Sequence, residues 1–210
     1  MEYPILFSAP MVRAILDDRK TQTRRVVEPQ PKPIDECDHG DTFIEGGELR
    51  MLRDAGAGLD EYPVRCPFGQ PGDTLWVRET FAWSGDSSIP TSERIAKDTP
   101  WYRADGKYDS PATKWRSAIH MPRWASRITL LVKVVRVERL QEISGKDILA
   151  EGVTCPKHHT DALEHYCDGN CEHLADAFAV LWDSINAKKH PWASNRWVRV
   201  VEFERVKEAA

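Results

Sequence analysis

An alternation of apolar residues in the middle of the chain limits its fold more than any other feature. Ile128, Leu130, Val132 and Val134 occupy every second position, and the apolar parity then shifts at Val135 and Val137. Successive side chains of a strand point to opposite faces, so this spacing predicts one long strand with a buried face. The parity shift predicts one extra residue, a bulge, near Val134. A strand of that length needs partners, and the chain supplies them. Ile5-Leu6-Phe7 reads as a short buried strand. Residues 74–81 place Leu75, Val77, Glu79 and Phe81 on one face and Trp76, Arg78 and Thr80 on the other. The mixture of charged and apolar side chains on both faces suits a strand bordering a site, and an edge strand equally. Residues 197–206 form the closing strand, again with a parity shift, at Val200-Val201.

Helices are few. Ser8 is the predicted N-cap of a first helix that tolerates Pro10 in its first turn and buries Met11, Val12, Ile15 and Leu16. It should stop near Asp18, a residue type that enters the left-handed region more readily than most. Ser144 opens a second helix with Asp147 three residues on, and Glu151-Gly152 closes it at a glycine. The clearest helical pattern is Leu174, Ala177, Phe178, Leu181, Trp182 and Ile185. Between these elements, Pro29, Pro31, Pro33 and the glycines from Gly40 to Gly58 predict loops with one short hairpin at most. Cys66-Pro67-Phe68-Gly69-Gln70-Pro71-Gly72-Asp73 reads as a turn cluster. Residues 82–118 read as an irregular insertion that packs Trp101, Tyr102, Tyr108 and Trp115 over the core. Strands outnumber crossover helices, which argues for an α+β fold built on a small curved sheet or open barrel. We read the 210 residues as a single domain, with insertions at about 28–71, 82–118 and 154–173.

Composition excludes little but directs the search. A net charge of −4 argues against a broad surface that coats nucleic acid, and leaves room for a local basic pocket. Eight tryptophans are stacking platforms or core residues, and the number alone does not decide which. Five cysteines, no leader pattern and no apolar run near 18 residues imply a reduced, cytoplasmic protein with no membrane span and no disulfide framework.

The densest chemistry lies in Arg19-Lys20-Thr21-Gln22-Thr23-Arg24-Arg25, directly after the first helix. Lys20 and Thr23 share a face only if the chain still turns there; in a strand they point to opposite faces. An amine beside a hydroxyl is the minimum for an activated threonine nucleophile, and the flanking Arg19 and Arg24 would favour an anionic or base-bearing ligand. A solvated turn reads from the same residues. Further wall candidates are Arg78 and Glu79 on the middle strand, with Arg123, Trp124 and Ser126 ahead of the long one. Structural ion pairs and a core tryptophan explain these equally.

Several of these pieces together resemble an ASCH domain, of the PUA-like superfamily of small β-barrels that handle RNA and nucleosides. They are Ile15-Leu16-x-x-Arg19-Lys20-Thr21-x-Thr23-Arg24-Arg25, Pro71-Gly72-Asp73-x-Leu75-Trp76-Val77-Arg78-Glu79, the helix at 144–153, and Val200-Val201-Glu202-Phe203. The wording from Ile119 to Arg127 and from Leu181 to Asn186 is similar to a phage and prophage branch of that family. The resemblance implies a PUA-like barrel with flanking short helices and long loop insertions. One bacterial branch hydrolyses N4-acetylcytidine, and its catalytic Lys, Thr and Glu fall here on Lys20, Thr23 and Glu151. Two departures stand out: Asp18 replaces a glycine, and this chain is much longer than those small enzymes.

The implied function is an amidohydrolase acting on an acylated cytidine, with no cofactor. Thr23 would attack, Lys20 would take its proton, Glu151 would assist proton transfer, and backbone amides after the first helix would meet the oxyanion. A non-catalytic RNA-binding module and a ribonuclease are the alternatives. The expected partner is a nucleoside or RNA. Residues 155–173 hold Cys155, His158, His159, His165, Cys167, Cys171 and His173. Our reading there is no metal, with a structural zinc as the alternative.

Overall fold

The computed structural model describes residues 1–46, 48–54, 59–83, 100–106, 114–154, 171 and 173–207. In chain order the elements begin β1 (Glu2–Leu6), α1 (Ala9–Leu16), β2 (Gln22–Val26), β3 (Thr42–Glu45), β4 (Glu48–Asp54) and β5 (Leu59–Pro63). There follow β6 (Thr74–Arg78), β7 (Phe81–Trp83), β8 (Pro100–Tyr102), β9 (Thr129–Arg139), α2 (Gly145–Ala150), α3 (His173–Asn186) and β10 (Trp197–Arg205). The fold is α+β and mostly sheet. Among the described residues no helix is long and apolar enough to cross a membrane.

The central sheet has the order β1-β6-β9-β10-β2, parallel only between β1 and β6. β9 is the predicted long strand, and its bulge lies where the parity slips. Glu202 pairs with Val134 and Phe203 with Val132, which leaves Lys133 as the extra residue. Leu130 and Val132 before the bulge and Val135 after it therefore reach the same core. The parity shift in β10 has another cause. Val201 and Phe203 enter a core with Ile5, Phe7, Leu75 and α1, whereas Val198 and Val200 enter a second core with α2 and α3. β10 is buried on both faces, so its sequence stops alternating. β6 lies between β1 and β9, which settles its mixed faces in favour of an interior strand.

The stretch expected to hold one hairpin at most contains the three-stranded antiparallel sheet β3-β4-β5. Phe43, Leu49 and Leu52 are its buried apolar residues, while β5 is exposed throughout. So little apolar periodicity hides a strand from sequence. In the second insertion, β7 pairs with β8, and Trp83 stacks on Trp124 with ring centroids 5.1 Å apart.

β1 and β2 are the ends of the central sheet, and no ladder joins them among the described residues. They nonetheless approach each other: Arg25 Nη2 on β2 donates to the Leu6 carbonyl on β1 at 2.7 Å. The sheet is curled, with β2 carrying its free edge toward α2.

Candidate functional site

The chain leaves α1 abruptly. Asp18 adopts φ +56°, the left-handed conformation expected of it, and Arg205 and Lys207 hold its carboxylate. Beyond this corner the backbone is extended. Lys20 forms an isolated antiparallel bridge with Glu151, and the Thr21 amide donates to the Ala150 carbonyl at 2.8 Å. The turn that would put Lys20 and Thr23 on one face is therefore absent; β2 begins at Gln22.

α2 brings Glu151 to this edge. Ser144 and Asp147 form its N-terminal capping box, and Glu151 is its C-cap, followed by Gly152 at φ +84°. A Cβ on Gly152 would lie 2.9 Å from Ala14 Cβ and 3.1 Å from Lys20 Cβ, so α1, the bridge and α2 meet where only glycine fits.

Lys20 is buried, and its Nζ donates to Glu151 Oε2 at 2.5 Å and to the Glu151 carbonyl at 2.9 Å. Burial pushes the ammonium down, the Glu151 carboxylate pushes it back up, and the balance leaves Lys20 below the ordinary lysine range. The other Glu151 oxygen lies 3.4 Å from Arg24 Nη1. Arg24 is itself buried and donates to Glu138 Oε1 at 2.6 Å and to Gln22 Oε1. Gln22, Asp147, Arg136 and Glu202 extend this network along the same face of the sheet. Arg24 is thus neutralised by its surroundings.

A cavity of about 290 Å³ opens beside the pair. Thr23, Arg24, Arg25 and Glu151 line it, with Phe68, Phe178 and Trp182 among the apolar walls. Its volume lies near the lower end of the ~300–1,000 Å³ of small-molecule sites. No hydrogen bond joins Thr23 to Lys20; Thr23 is buried on the opposite face of β2 from Arg24 and meets Glu151 only as a neighbour on the cavity wall. The backbone amides of Asp18, Arg19, Lys20 and Thr21 all donate to main-chain carbonyls, so none of them is free for the oxyanion expected there.

The other candidates lie elsewhere. Arg19 is exposed and bonds to Asp17 and the Gly152 carbonyl. Arg78 donates to the Ile119 carbonyl, Arg123 binds Glu2 through two nitrogens, and Ser126 donates to the Val77 carbonyl. Glu79 is buried against Arg127, and burial raises its carboxyl above the usual range. Trp124 is half exposed on Trp83. None of these six lines the cavity. Sequence reasoning left out Arg25, Phe68, Phe178 and Trp182 as cavity residues. The period of two from Thr23 to Arg25 was the available signal for the first. Of the Cys/His insertion, Cys171 and His173 are described, with Sγ 3.6 Å from Nδ1; the remaining candidate zinc ligands lie outside the described residues.

Comparison with protein-family models, with curated proteins and with solved structures returns no match.

Proposed function

We propose that the chain is an ASCH-type protein whose curled sheet is a PUA-like open barrel, acting in the cytoplasm as an amidohydrolase on N4-acylated cytidine. One observation carries this reading: a buried lysine–glutamate pair stands at a cavity that a buried threonine and the same glutamate line. The aromatic walls suit a flat base. A lysine held below its ordinary range loses its proton more readily, which a base requires. Thr23 Oγ1 attacks the acyl carbonyl, its proton passes to Lys20, and the amide C–N bond breaks as Lys20 returns that proton to the N4 nitrogen, releasing cytidine and leaving an acyl-threonine. Water then cleaves the acyl-threonine to acetate, with Glu151 assisting the proton transfers. The turn amides being committed, the newly protonated Lys20 is the cation for the oxyanion.

The test is cytidine released from N4-acetylcytidine by purified protein, resolved by chromatography. Thr23→Ala and Lys20→Ala should each remove nearly all turnover, and the double variant should be little worse. Turnover surviving Thr23→Ala removes the nucleophile. A second reading, a module that holds the base without cleaving it, is favoured by the missing Lys20–Thr23 hydrogen bond. Tight RNA binding with no turnover across a panel of acylated cytosines would establish it.

A further inference from the structure

Thr23 and Arg25 turn to one face of β2, Arg24 and Val26 to the other, where Val26 packs into the core shared with α2 and α3. The cavity is lined from both sides: by Arg25 and Phe68 on the first face, and by Val26, Phe178 and Trp182 on the second. One space meets both faces of a strand only by passing round its edge. β10 covers one edge of β2, so the cavity lies along the other, which ends the central sheet.

The ladder decides what the main chain presents there. In an antiparallel pair, hydrogen-bonded and non-bonded residues alternate. The Phe203 amide donates to the Thr21 carbonyl at 2.8 Å, and the Val27 amide to the Trp197 carbonyl at 3.0 Å. Between these two bonds the register is unbroken, so Thr23 and Arg25 bond to β10. Arg24 and Val26 therefore turn their N–H and C=O groups outward. Among the described residues these groups have no hydrogen-bond partner. α2 covers the edge only before them, where Lys20 bridges to Glu151 and Thr21 to Ala150. Buried N–H and C=O groups are almost always paired, so unpaired ones beside a cavity point to a ligand that pairs them.

Two residues make too short an edge for an added strand, which rarely has fewer than about three. A cavity of about 290 Å³ suits one small molecule instead. We propose that this edge reads the base of the substrate through the main chain: the Arg24 carbonyl accepts from the N4–H of a cytosine, and the Val26 amide donates to its N3. An N4-acylated cytosine keeps one N4–H, so it pairs in the same way. Its acyl group then points toward the start of β2, where Thr23 and Glu151 line the cavity. Uracil presents the opposite pattern, an acceptor at O4 and a donor at N3. The inference rests on the nucleoside reading above and adds what the site selects, cytosine over uracil.

Calorimetric titration of the full chain with cytidine, uridine and 3-deazacytidine, in which C–H replaces N3, tests this. Cytidine should bind at least about tenfold more tightly than either analogue, as one hydrogen bond provides. Val26→Pro removes only the outward N–H, which an edge strand tolerates, and circular dichroism checks its fold. In that variant the preference over 3-deazacytidine should fall toward one, whereas Val26→Ala should keep it. The parent's own preferences decide the matter if the proline variant misfolds. Cytidine binding without preference over both analogues overturns the main-chain readout and leaves the nucleoside reading standing, and so does a preference that survives Val26→Pro. Absence of binding by all three nucleosides removes the nucleoside reading and this inference with it.

Discussion

Lys20 and Glu151, separated by 131 positions, are joined twice: Nζ meets both the carboxylate and the main-chain carbonyl of the same residue. The bridge between their backbones sets the two chains side by side, and the side chains close the contact. Removing one partner leaves the other charge buried. Lys20→Met should therefore cost about 3–5 kcal/mol, whereas Lys20→Met with Glu151→Leu should recover much of that loss. Urea unfolding of the two single variants and the double variant measures this coupling.

The pH dependence follows from the direction of the Lys20 shift. Its folded-state value lies below the ordinary 10.5, so between the two values the unfolded chain binds more protons. Stability should rise with pH across that window, and this rise should vanish in Lys20→Met. In the proposed reaction the base is the neutral amine, so kcat/KM should climb with pH through the same lowered value. A pH–rate profile that stays flat in this range would separate Lys20 from the chemistry.

Gly152→Ala should destabilise without touching any charge. The left-handed backbone and the close approach of Ala14 and Lys20 together predict a loss of about 2–4 kcal/mol. Thermal unfolding reads it directly. A variant as stable as the parent would mean that α1 and α2 are not locked at this point.

Asp147 ties the helix cap to the sheet. Burial raises its carboxyl, but hydrogen bonds from Gln22 and Ser144 and the charges of Arg24 and Arg136 outweigh that and hold it below the ordinary 3.8. Its contribution is present above that value and is lost as pH falls through the lowered one. Asp147→Ala should cost about 2–3 kcal/mol at neutral pH, from the cap and the orphaned donors together. Its deficit against the parent should shrink in acid, which unfolding at a series of pH values checks.

What was legible in the sequence is local. The slip from Val134 to Val135 announced the bulge at Lys133, because a one-residue insertion changes the parity of everything after it. Asp18 announced its corner, and Ser144 with Asp147 and Gly152 announced both ends of α2, because capping depends on residues within one turn. β3–β5 escaped because they bury few apolar residues, and β5 buries nothing that could show a period.

The candidate site was legible as residue types but not as an arrangement. Lys20, Thr23 and Arg24 stand close in sequence in any fold, yet the extended backbone turns Thr23 and Arg24 to opposite faces of β2. Which residues meet was decided by strand order and register. β10 pairing with β2 sets which main-chain groups stay free on its outer edge, and α2 arriving at that edge delivers Glu151 to Lys20. Period and capping act over a few residues, so one sequence window contains them. A contact across 131 positions depends on every element folded between its partners, and only the tertiary structure contains that.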